Sequence, residues 1–171
     1  SATQDKEAKT VLSLLSAEDK KRRNLFPVGR LDKDTEGLLL LTNDGDLIND
    51  LTHPSVKVPK LYEVTINGKI TQNDIDAMYK GIEIEPDKKA YAQVEVTEID
   101  NSHTSMDILL YQGMNRQIRK MFEHLGFEVV TLKRVQHAIF TLDGLKRGEF
   151  KPIKPQQIKE LRNFLNRLKN D

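Results

Sequence analysis

No cysteine occurs among the 171 residues. That excludes disulfides, cysteine–zinc sites and thiol nucleophiles, and it suits a reducing compartment. No apolar run approaches the length of a membrane span, and no leader pattern opens the chain. There is no GxxxxGK loop, and no serine has the glycines of a nucleophile elbow around it, so P-loop and serine-hydrolase chemistry drop out. His53, His103, His124 and His137 show no metal-ligand spacing, and no metal is expected. Internal repeats and low-complexity segments are also missing.

What is present fits one globular domain over 1–171 with a substantial core, polar at its surface: 37% of residues are hydrophobic and 31% charged. The net charge of +1 hides an asymmetry. Residues 1–110 carry 14 Lys and Arg against 20 Asp and Glu, whereas residues 111–171 carry 13 against 6. Charge segregated in this way suggests a face for a polyanion. Two solvated surfaces of opposite sign are the plainer alternative.

The patterning alternates helices and strands. Val11, Leu12, Leu14 and Leu15 predict a short helix, and Lys20 to Arg23 form a basic cluster that could meet phosphates. Leu25 to Gly29 and the apolar run Leu38 to Thr42 read as strands on either side of an acidic loop. Asp44 and Asp46 open a helix that His53-Pro54 ends, because the residue before proline resists helical geometry. Lys60 to Ile66 alternates as a strand, with Tyr62, Val64 and Ile66 on one face. Thr71 caps a helix that Gly81 closes. Gln93 to Ile99 and Ser105 to Tyr111 form a hairpin. In Gly113 to Gly126, Ile118, Met121, Phe122 and Leu125 make an amphipathic stripe, with Arg116, Arg119 and Lys120 off it. Glu128 to Thr141 supplies one or two strands, Lys146 to Lys154 a basic loop, and Gln156 to Asn170 a closing helix. The sum is α+β, with mostly hairpin-linked strands and flanking helices.

The acidic loop is the first place to look for chemistry. Asp32-Lys33-Asp34-Thr35-Glu36-Gly37 matches the first half of a calcium loop, but Asn43 stands where the bidentate carboxylate belongs. Asp32 and Asp34 form a weak glycosidase-like pair, since such carboxylates normally come from separate elements. A glycoside hydrolase using Asp32 with Glu36 would also lack a reason for the basic half. Lys60 and Tyr62 share a strand face, which suits a stacked base and its phosphate. A core tyrosine with a lysine at the edge explains the same pattern.

Taken in order, VGRLDKDTEGLLLLTNDGDL, KLYEV and GMNRQIRKM resemble the bacterial pseudouridine synthases that modify ribosomal RNA, in particular the RsuA/RluB/RluE/RluF group, and among these the large-subunit type. The resemblance runs from about residue 26 to residue 150. It implies the pseudouridine synthase catalytic fold, a mixed, mainly antiparallel sheet with flanking helices and a central active-site cleft. It also implies isomerisation of a uridine to pseudouridine, more in 23S than in 16S rRNA. Asp32 matches the essential aspartate, Tyr62 the tyrosine that stacks on the flipped uracil, and Arg119 the basic residue that pairs with the aspartate. Arg30 matches an RNA-contacting arginine and Ile118 an apolar residue near the base. Lys60, Arg116 and Gln117 join them as substrate-binding candidates. No cofactor is required, because no atoms enter or leave. A cytoplasmic monomer that binds ribosomal RNA is expected. The Lys-Pro-x-Gly strand and the S4-type domain that usually come first do not precede these motifs, so an N-terminally trimmed chain is expected. A non-catalytic ribosomal RNA-binding module is the competing reading.

Overall fold

Two apolar cores organise residues 24–170, the part of the chain that the computed structural model describes. Each belongs to one compact unit: residues 24–58 with 136–170, and residues 59–135. The helix expected around Thr10 to Leu15 and the basic cluster Lys20 to Arg23 lie outside the described residues.

In the first unit, β1 (Phe26–Pro27) pairs antiparallel with β3 (Leu41–Thr42). Between them lies β2 (Glu36–Gly37). The leucine run is thus a ladder only at its last two residues. Leu38 and Leu40 are nevertheless buried, and the carbonyl of Leu40 accepts the amide of Val28 at 2.8 Å. Gly37, at φ +119°, bends the backbone just before the run, which keeps the ladder short.

Helix α1 (Gly45–Thr52) starts where the acids indicated. The Asp44 carboxylate accepts the amides of Asp46 at 2.9 Å and Leu47 at 3.2 Å. The helix stops at His53, ahead of Pro54. The long α4 (Pro155–Asn170) buries Leu161 and Leu165 in the core that also holds Leu47 and Leu51. Arg162 and Lys169 of α4 each reach a carboxylate of this unit at 2.7 Å, Asp44 and Asp50 respectively. The Arg162 guanidinium, more than the capping amides, holds the Asp44 carboxyl below its ordinary value.

In the second unit β4 (Lys60–Asn67) forms an unbroken antiparallel ladder with β8 (His103–Leu110), from Lys60 opposite Leu110 to Asn67 opposite His103. β7 (Gln93–Ile99) pairs with the other edge of β8, with a register shift between Val96 and Glu98. β9 (Val129–His137) lies on the far side of β4. A separate hairpin, β5 (Ile82–Glu85) with β6 (Lys88–Ala90), follows α2 (Gln72–Lys80). Thr71 and Asp74 form a reciprocal capping box at the start of α2. Beyond β9, β10 (Phe140–Thr141) turns back on Gln136 and His137.

Strand alternation places the core. Val64 and Ile66 point inward from β4, Met106, Ile108 and Leu110 from β8, and Leu132 from β9. Against them pack Met78 of α2 and Ile118, Met121 and Phe122 of α3 (Gln117–Leu125). The opposite sheet face carries a row of carboxylates, Glu63 opposite Asp107 opposite Glu95. Among the described residues no helix is long and apolar enough to cross a membrane.

Candidate active site

Asp32 sits on the loop between β1 and β2. Its carbonyl accepts the amide of Thr35 at 2.9 Å, which closes a tight turn over Lys33 and Asp34. The residue is half-buried, whereas Arg30 just ahead of it is exposed. Gly29 enters the loop at φ +68°, a conformation suited to glycine. The chain on either side is anchored by buried Val28 and Leu38, so the Asp32 turn hangs between two fixed points. Among the described residues no three His, Asp or Glu side chains gather as a metal-binding group.

The other candidates lie in the second unit. Lys60 and Tyr62 point to the core side of β4, in line with Val64 and Ile66, and stand beside Leu110 and Ile108 of β8. Tyr62 is half-buried and packs against the core. The ring is therefore a core tyrosine at the end of an apolar row and still partly open. Lys60 is pushed down to about 8, mostly by burial and further by the positive charge of Arg134. The backbone at Gly113 runs past its ammonium, since a Cβ there would lie 3.9 Å from Nζ.

The GMNRQIRKM block begins as a turn, and its helix starts only at Gln117. Arg116 takes the left-handed conformation, φ +50° and ψ +38°, and stands exposed at the head of α3. An L-residue held there costs on the order of 1 kcal/mol, the kind of strain that collects at working sites. Ile118 is fully built into the core. Arg119 is half-buried, with its Nε shielded from solvent. Lys120 is held by Glu85 at 2.7 Å, and that ion pair keeps the Glu85 carboxyl below its ordinary value.

Gln117 faces inward. Its Oε1 accepts the amide of Met114 at 3.2 Å, while Nε2 donates to the carbonyl of Tyr91 at 3.2 Å and to Gln112 Oε1 at 3.1 Å. Gln112 in turn accepts the amide of Tyr91 at 2.9 Å and donates to the carbonyl of Lys89 at 3.0 Å. The two amides thus stitch the turn before α3 to residues 89–91.

One cation of this region belongs to no motif. Arg134 is 4% exposed. Strand alternation was the available signal for it, because Leu132 and Arg134 fall on one face and Leu132 is core.

A match to the family of RNA pseudouridylate synthases spans residues 1–124. Ribosomal large subunit pseudouridine synthase B of Bacillus subtilis (strain 168) is 37% identical over 150 residues, 86% of this chain and 62% of that protein. Dual-specificity RNA pseudouridine synthase RluF of Escherichia coli (strain K12) is 34% identical over 163 residues, 94% of this chain and 53% of that protein. The chain thus spans between about half and three fifths of the length of these relatives. A solved structure, described as the crystal structure of pseudouridylate synthase, superposes with a TM-score of 0.79 at 28% identity, over 91% of this chain and 66% of that one. The mixed, mainly antiparallel sheet with four helices among the described residues is accordingly the pseudouridine synthase catalytic fold. With the family match over more than half of its length and relatives of this kind, the chain belongs to the RNA pseudouridine synthases, in the RsuA/RluB/RluE/RluF group.

Proposed function

We propose that this chain isomerises a uridine of ribosomal RNA, in the large subunit rather than the small, to pseudouridine. The observation that carries this reading is the family match over residues 1–124, a span that contains Arg30, Asp32, Lys60, Tyr62, Arg116, Gln117, Ile118 and Arg119.

The chemistry follows from the residue types. A stacked base is out of reach, so the nucleotide is extruded at a cost of a few kcal/mol. Tyr62, a half-buried ring at the open end of an apolar row, offers the extruded uracil a stacking surface. Asp32 is the reacting carboxylate, either attacking C1′ or removing the 2′ proton. It must stay ionised, and a guanidinium such as that of Arg119 favours the charged form, because arginine remains protonated and grips a carboxylate at two points. Arg30 and Arg116, both exposed, meet the RNA backbone. The two compact units act together as one catalytic domain.

The test compares wild type and Asp32→Asn on rRNA transcripts labelled with tritium at uridine C5. Wild type releases tritium and leaves pseudouridine in the product. The variant binds RNA with similar affinity and releases none. RNA binding without any pseudouridine from the wild type points instead to a non-catalytic ribosomal RNA-binding module. Full turnover by Asp32→Asn removes the carboxylate from the mechanism.

A further inference from the structure

The core-facing side of the second unit's sheet does not stay apolar to its end. Along β4 the inward positions run Ile66, Val64, Tyr62, Lys60. Along neighbouring β9 they run from Leu132 to Arg134. Two cations therefore close the same face of two adjacent strands. Arg134 is almost fully buried, and its charge is felt at Lys60 strongly enough to disfavour the ammonium there. Like charges brought together in a partly desolvated place raise the energy of the protein, and a bound anion relieves that energy.

We propose that Arg134 acts with Lys60 as a two-cation seat for one backbone phosphate of the RNA, next to the nucleotide whose base stacks on Tyr62. The proposal rests on the pseudouridine synthase reading for its choice of RNA as ligand. Its spacing is that of the strand: Tyr62 and Lys60 are two residues apart on one face, about 6.6 Å. The ring takes the base, and the cations beyond it take the phosphate. Arginine suits the buried member, because its planar fork is more weakly hydrated than an ammonium and binds two phosphate oxygens at once. Lysine suits the more open member, as a point charge on a flexible stem. Gly113 completes the seat by letting backbone pass close to the Lys60 ammonium.

The test measures equilibrium binding of an rRNA transcript over a series of salt concentrations. Wild type is compared with Arg134→Met, Arg134→Gln, Lys60→Gln and the Arg134→Met/Lys60→Gln pair, and thermal melting of each protein is recorded alongside. Methionine matches the length of the arginine stem and suits a position in line with Leu132. Loss of the guanidinium is expected to weaken binding about 10- to 100-fold and to lower the slope of log K against log salt by about 0.7. The pair is expected to lose less than the product of the single losses, because both cations serve one phosphate. An unchanged salt slope in a folded Arg134 variant overturns the proposal. Failure of both Arg134 variants to fold also overturns it, since the guanidinium is then a structural group. Binding is read without turnover, so the two ideas fail separately. A wild type that makes no pseudouridine, with the Arg134 losses intact, discards the isomerase and keeps the seat.

Discussion

The side-chain amide of Gln117 donates to the carbonyl of Tyr91 across 3.2 Å, from the head of α3 to the segment that leads into β7. Gln117 is 3% exposed, and its carbonyl oxygen already accepts the amide of Met114. Its role is to fix the turn that presents Arg116, and any effect on RNA is transmitted through that turn. Gln117→Leu is expected to destabilise the fold by about 2 kcal/mol, because several partly buried polar groups lose their partner together. Urea unfolding measures this. Unchanged stability with a raised KM for RNA makes Gln117 a direct contact instead.

Lys60 gives two pH effects of opposite sign. Its ammonium is pushed down to about 8, chiefly by burial, against an ordinary value of 10.5. A phosphate contact needs the charged form, so RNA affinity is expected to fall as pH rises above about 8, and Lys60→Arg is expected to flatten that fall. Fold stability moves the other way. Between about 8 and 10.5 the unfolded chain holds a proton on this lysine that the folded chain has lost, so stability contributed by this group rises with pH there. The difference between wild type and Lys60→Met in urea unfolding isolates it. A difference that does not change across this window means that the folded lysine titrates normally.

Asp107 stands between Glu63 and Glu95 on three consecutive strands, each directly opposite the next. Like charges in facing cross-strand positions destabilise a sheet. Asp107→Asn is expected to stabilise the protein by about 0.5 kcal/mol at low salt, and the gain is expected to shrink in molar salt, where the repulsion is screened. A loss of stability at low salt shows that Asp107 has a favourable partner outweighing both glutamates.

Much of the fold was written in local signals. The Asp44 cap, the stop at His53-Pro54, and Thr71 with Gly81 around α2 act within one helical turn, so they can be read one residue at a time. The hairpin Gln93–Ile99 with His103–Leu110 was equally plain from its alternation. The hairpin Ile82–Glu85 with Lys88–Ala90 had no counterpart in the sequence reading, because its strands are short and largely charged and its register shifts at Glu83 to Glu85. Helix α3 began later than its apolar stripe indicated, because Arg116 adopts a left-handed conformation that no propensity foretells.

The candidate residues divide in the same way. Motif spacing singled out Asp32, Tyr62 and Arg119 as residue types in order. Gln117 was singled out too, but its inward amide depends on where Tyr91 and Met114 arrive, which is a matter of tertiary packing. Arg134 lies in no motif and emerges only once Leu132 is known to face the core.

One unit is a single stretch, 59–135, while the other is made of 24–58 and 136–170. During synthesis the uninterrupted stretch has left the ribosome before the final helix is translated. The strand segments around Asp32 must wait for Leu161 and Leu165, among the last residues made, before their core is complete. A nascent chain halted near residue 140 therefore holds the reacting carboxylate on an unfinished scaffold.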